Sequence, residues 1–219
     1  MESPIASVSR WALATIALSV VSVALGLLAA NFDTFPLDRS VTAWFYDIGG
    51  WYEPLAQLTN RYDVVLAAAI GVAGSGVLLT RGDVATASLF PLAAGGRLLI
   101  GAAKDAVDRP RPAVFDTRAD FGDSSFPSGH VMTAVAIFGL LFLLAPLLVP
   151  MRLVLPLRLV AVVVVLLHAV GRMWAGVHWF SDTYGSVVWM AAVLCGLMTA
   201  RAWWGKANRA SPSSEDARF

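Results

Sequence analysis

The chain alternates long apolar runs with short polar connections. Six runs are long enough to cross a hydrocarbon core as helices: residues 11–30, about 64–80, about 84–103, 130–150, about 157–171 and about 182–204. They predict an all-α fold, a polytopic membrane helical bundle with six transmembrane helices. Residues 1–204 read as one six-span domain, and 205–219 as a polar, frayed C-terminal tail. The first run is longer than the apolar core of a usual signal peptide. Its Leu28-Ala29-Ala30 end lacks a small residue at the −3 position, so it reads as a retained span. Two polar connections stand out by length, 31–63 and 104–129. In the first, Leu37, Val41, Trp44, Phe45 and Ile48 share one helical face, and Trp51 and Tyr52 follow. That pattern predicts an amphipathic helix lying at the membrane surface with aromatic anchors.

Composition sharpens the solvent. Of 219 residues, 58% are hydrophobic and only 14% charged, with a mean hydropathy of +0.69. A soluble domain carries about 25% charged residues. A chain this poor in charge is neither disordered nor an ordinary soluble domain. The net charge of +1 excludes the strongly basic surface that nucleic acid calls for. The single cysteine, Cys195, excludes an intrachain disulfide and a cysteine-rich metal site; within its apolar run it reads as packing.

With six spans, both termini share one side. The termini and the connections after spans two and four hold Arg10, Arg81, Arg152, Arg158, Arg201, Lys206, Arg209 and Arg218, eight cations. The other side holds Arg39, Arg61, Lys104, Arg109, Arg111, Arg118 and Arg172, seven. Lys104, Arg111 and Arg172 belong to a cluster described next. Setting them aside leaves eight against four, which places both termini in the cytoplasm and the cluster on the extracytoplasmic face, in a plasma (inner) membrane.

Three segments bring unusual polar residues to that face. The first is Lys104-Asp-Ala-Val-Asp-Arg-Pro-Arg-Pro112. On a helix, residues seven apart differ by about 20° in direction, so Lys104 and Arg111 reach one anion; Arg109, about 140° round, is the weaker candidate. Pro110 and Pro112 stop any helix soon after. The second is Phe126-Pro-Ser-Gly-His130, opening span four. Ser128 is the N-cap candidate and Gly129 admits a ligand close to the backbone. The free N–H groups and helix dipole make this end an anion site with His130 beside it. The third runs Gly171-Arg-Met-Trp-Ala-Gly-Val-His-Trp-Phe-Ser-Asp182. His178 and Asp182 are one helical turn apart. A hydrogen bond from one imidazole nitrogen to Asp182 fixes the tautomer and leaves the other nitrogen nucleophilic. Arg172 adds a fixed cation. Each segment alone has an ordinary reading, as interfacial anchors or a capped helix end. Together, three cations, a helix N-terminus, two histidines and a carboxylate describe a phosphate site. A metal bound by the histidines and carboxylate fits less well, because the neighbouring cations repel a divalent ion.

The segments resemble the three-part signature of the type 2 phosphatidic acid phosphatase superfamily: K-x6-R-P, P-S-G-H and S-R-x5-H-x3-D. Lys104 to Arg111-Pro112, Pro127 to His130, and Arg172, His178 and Asp182 match in order; Gly171 stands where serine is common. The resemblance implies catalytic His178, His130 and Asp182. His178 attacks phosphorus to form a phosphohistidine, Asp182 orients it, and His130 protonates the leaving alkoxide and then activates water. Lys104, Arg111, Ser128, Gly129 and Arg172 are implied to bind phosphate, with no metal and no cofactor. The implied substrate is a lipid phosphate or diphosphate, such as phosphatidic acid, phosphatidylglycerol phosphate or an isoprenoid diphosphate like undecaprenyl diphosphate, with its tail in the bilayer. A lipid phosphotransferase using the same phosphohistidine, and a non-enzymatic lipid-phosphate transporter, are the alternatives. Nothing fixes the oligomeric state. Arg97 and His168, inside spans, read as internally paired groups. Asp105, Asp108, Asp116, Asp120 and Asp123 read as a solvated acidic loop.

Overall fold

The structure, a computed structural model, describes residues 8–61, 63–96, 98–117, 122 and 124–210. Among them the helices are α1 (Val8–Asn31), α2 (Asp38–Tyr46), α3 (Glu53–Arg61), α4 (Asp63–Thr80), α5 (Val84–Ala87), α6 (Leu89–Gly95), α7 (Leu98–Val107), α8 (Gly129–Leu148), α9 (Met151–Trp174) and α10 (Phe180–Ala210). Six stretches are long and apolar enough to cross a membrane: Val8–Asn31, Asp63–Thr80, Val84–Val107, Gly129–Leu148, Met151–Trp174 and Phe180–Asn208. The fold is the all-α, six-span bundle that the apolar runs predict.

The core follows from which helices are apolar all round. α8 is, and it is the most buried span; Val131, Leu140, Leu144 and Ala145 are fully enclosed. It packs against α4, α6, α9 and α10. α1 lies on α10, where the Trp189 indole Nε1 donates to the Ser22 carbonyl at 2.7 Å. Leu13, Ile16, Val20, Val23 and Leu27 point outward from α1. In lipid such a face carries no hydrophobic penalty.

Three boundaries differ from the sequence expectation. The third span is not continuous but breaks into α5, α6 and α7. Pro91 has no N–H for the Ala87 carbonyl four residues back, and the Ser75 hydroxyl of α4 donates to that carbonyl at 3.0 Å instead. Gly95 and Gly96 mark the second break. α9 starts at Met151 rather than near 157, because Pro156 costs one backbone bond without stopping the helix. α10 continues through 205–210, where the tail reads as frayed. Its 31 residues span about 46 Å against a hydrocarbon core of about 30 Å, so polarity there marks the helix leaving the core rather than its end.

The surface helix also departs from expectation. It begins at Asp38, and Leu37 is its N-cap with φ 72°. A second helix, α3, follows a 3₁₀ turn at Gly50–Tyr52. Trp44 and Trp51 are exposed, as anchors at an interface would be.

Candidate active site

The His178 loop begins where α9 ends. Gly176, at φ +70°, lets the Val177 N–H reach the Arg172 carbonyl (3.3 Å) and its own N–H reach that of Met173 (2.9 Å). This is a Schellman stop, which turns the chain sharply and needs glycine at that position. Four residues after Gly176, α10 starts. Asp182, in its first turn, accepts the Trp179 N–H on Oδ2 at 2.8 Å, one half of a capping box. His178 therefore precedes the helix instead of sitting one turn below Asp182 on it. The two still meet, with Nδ1 3.5 Å from Oδ2. On the other side of the ring, Arg111 Nη1 lies 3.5 Å from Nε2. A guanidinium can only donate, so the tautomer that meets this contact is the one with the ring proton on Nδ1, toward Asp182.

The cations arrive differently from the helical spacing. α7 stops at Val107, and Asp108 takes a left-handed φ of 45°. Lys104 and Arg111 thus share no helix. An extended stretch carries Arg111, with Pro110 bridged to Ser124 and the Ser125 N–H bonded to the Arg109 carbonyl at 2.7 Å. Arg111 donates to the Val177 carbonyl at 2.6 Å and also to that of Gly122. Lys104 Nζ donates to the Ser124 carbonyl at 2.5 Å. Arg172 is buried in the last turn of α9. Burial first, then the fields of Arg111, Lys104 and Arg172, hold the His178 imidazole well below the ordinary histidine range. Both causes favour the neutral ring.

At the start of α8, Ser128 occupies the N-cap position, but its hydroxyl does no capping. Its N–H donates to Ser186 Oγ at 2.7 Å, and Ser186 in turn donates to the Asp182 carbonyl at 2.6 Å. Ser128 Oγ is buried with no protein hydrogen-bond partner among the described residues. A Cβ at Gly129 would meet Ile100 at an ordinary 3.6 Å, so protein packing alone does not require glycine there. His130 Nε2 lies 3.7 Å from Asp63 Oδ2.

Sequence reasoning undervalued Arg109. It is fully buried and donates to Asp182 Oδ1 (2.6 Å), Ser181 Oγ (2.7 Å) and Asp38 Oδ2 (2.9 Å). Asp38 also accepts the Ser181 N–H at 2.8 Å. The surface helix α2 is thereby tied to the carboxylate behind His178. Arg109, Asp38, Ser181, Ser186 and Asp63 carried no spacing signal. The available hint was chemical: an acid directly before an apolar run, on the side that carries the three polar segments, as Asp63 is. His168 bonds its own helix, Nδ1 to the Val164 carbonyl at 2.8 Å. Arg97, Arg118, Asp120 and Asp123 lie outside the described residues.

A sequence model of the PAP2 superfamily matches residues 85–206, more than half of the chain. The chain belongs to the PAP2 superfamily. The matched stretch contains all three polar segments, α8, α9 and most of α10. A solved structure of the same fold is the transmembrane PAP2 type phosphatidylglycerolphosphate phosphatase from Bacillus subtilis. It is 22% identical, with a TM-score of 0.68, covering 91% of this chain and 98% of the other. A search of curated proteins finds no match. The likeness therefore reaches beyond the PAP2 match to α1–α4, and the chain has the fold of an integral membrane PAP2 protein.

Proposed function

We propose that this PAP2 protein hydrolyses the phosphate monoester or diphosphate head of a membrane lipid through a phosphohistidine on His178. The observation that carries the reading is the His178 ring, held neutral by burial and three cations, with Nδ1 toward Asp182 and Nε2 toward Arg111. Nε2 attacks phosphorus as the ester or anhydride P–O bond breaks, and His130 gives its proton to the leaving oxygen. His130 then takes a proton from water, the water oxygen attacks phosphorus, and the P–N bond breaks to return His178 and release phosphate. Lys104, Arg111, Arg172, Ser128 Oγ and the Gly129 N–H hold the phosphoryl oxygens, and the fixed cations supply the charge stabilisation phosphoryl transfer requires. A metal ion has no role in these steps.

An apolar cavity of about 530 Å³ beside the site supports a lipid substrate. It runs from Val64 and Thr133, next to Asp63 and the first turn of α8, to Leu79 at the far end of α4. The cation asymmetry supports a plasma-membrane protein with this site on the extracytoplasmic face. The test is phosphate release in detergent with EDTA from phosphatidic acid, phosphatidylglycerol phosphate and isoprenoid mono- and diphosphates. Release by wild type and none by His178→Ala is expected. Equal behaviour of the two proteins on every substrate refutes the reading, and phosphorylated acceptor without free phosphate identifies a transferase.

A further inference from the structure

Asp63 is a costly residue to keep where it is. It opens an apolar span, is buried, and is not part of the three motif segments. Its Oδ1 accepts the N–H of its neighbour Val64 at 2.6 Å, a routine first-turn contact. That leaves Oδ2 unexplained. Oδ2 is enclosed, accepts no hydrogen bond among the described residues, and faces His130 Nε2 at 3.7 Å. A buried carboxylate oxygen without a donor is expensive. At 3.7 Å the contact is an ion pair rather than a hydrogen bond, and contacts between catalytic groups of this kind shorten when substrate is bound.

We infer that Asp63 is the positioning residue for His130: it holds Nε2 of the ring from the α4 side, so that Nδ1 is presented to the leaving oxygen. The inference rests on the phosphatase reading and adds a residue to it. Two histidines are then each oriented by a carboxylate, His178 by Asp182 from α10 and His130 by Asp63 from α4. The rival role is electrostatic. The field of Asp63 also reaches Arg172 and His168, so the carboxylate could serve only as the countercharge of a phosphate-binding arginine.

The two roles separate by leaving group. p-Nitrophenyl phosphate expels a stable anion and needs little help from an acid, whereas a lipid alkyl phosphate needs its alkoxide protonated. In single-turnover kinetics, Asp63→Asn is expected to slow phosphoryl transfer from the alkyl phosphate by roughly 10–100-fold, part of the ~10²–10⁴ that acid–base help supplies. The p-nitrophenol burst and the KM for both substrates should stay near wild type. Equal slowing of both substrates, a KM rise for both, or no change at all overturns the inference. Asp63→Glu should recover part of the alkyl phosphate rate. If wild type turns over neither substrate, the phosphatase reading fails first. Nitrogen NMR of histidine-labelled protein then still reads the contact, through a change in the His130 tautomer balance in Asp63→Asn. An unchanged balance refutes it.

Discussion

Arg109 shows how a site can depend on a residue enclosed behind it. Its guanidinium bridges two buried carboxylates, Asp182 and Asp38, and is itself fully enclosed. Removing one partner of such a group leaves uncompensated buried charge, at about 3–5 kcal/mol. Arg109→Ala should therefore lower thermal stability in detergent by that order. Arg109→Lys, which keeps charge but not the fork, should fold while lowering kcat more than it raises KM. His178 gives a second prediction at this scale. Its imidazole is pushed well below the ordinary value of about 6.5, by burial and then by the three cations. The native state thus binds fewer protons than the unfolded chain between the depressed value and about 6.5. Its stability contribution is full above that window and is lost as pH falls through it. The acid limb of kcat/KM should lie below 6.5, and Arg111→Gln, which removes a repelling cation, should move it upward. The motif residues were readable because their types and spacing are unusual. Arg109 was not, because on a helix it points away from Lys104, and the sequence does not show that α7 stops at Val107 before reaching it.

The elements that carry this chemistry are joined by terminations rather than by long loops. Gly176 is the sharpest case. Alanine there would adopt φ +70°, and its Cβ would sit 3.1 Å from Phe115 Cβ and 3.2 Å from Tyr46 Cε2. Strain of this kind costs of order 1–3 kcal/mol. Gly176→Ala should lower the melting temperature and, by displacing the loop, lower kcat on every substrate alike; an unchanged kcat would show that the Schellman turn does not set the position of His178. Gly185 makes a different demand. Its backbone φ is ordinary, but a Cβ there would meet Phe126 Cε2 at 2.5 Å, which keeps the ring before the Pro127-Ser128 corner pressed onto α10. Apolar run length gave the number and order of spans, because lipid imposes it. It could not give the break at Ala87 and Ser88, which Pro91 causes and a hydroxyl from α4 compensates, or the continuation of α10 beyond the hydrocarbon, where helix propensity persists after hydropathy ends. Nor did it show α3, whose polar sequence offers only a short amphipathic face.

For the whole molecule, the arrangement places a charged head site and an apolar cavity end to end. The polar site is set by α7, α8 and the α9–α10 turn, and the cavity by α4, α6 and α8, so under the proposed function head chemistry and tail recognition would sit largely on different elements. Substitution in the cavity should then change substrate choice without touching the chemistry. Ala68, on α4, lines the cavity and is exposed to it. Ala68→Trp fills part of about 530 Å³ while leaving Asp63 and the motif residues in place. The expected result is a loss of roughly tenfold or more in kcat/KM, about 1.4 kcal/mol, on a lipid phosphate with long tails. The p-nitrophenyl phosphate rate, which needs no tail site, should stay within about twofold of wild type. A parallel loss on both substrates would mean that the cavity supports the fold rather than the tail. An unchanged rate on both would send the lipid tail elsewhere, to the apolar outer face of the bundle, and would make head recognition alone responsible for specificity.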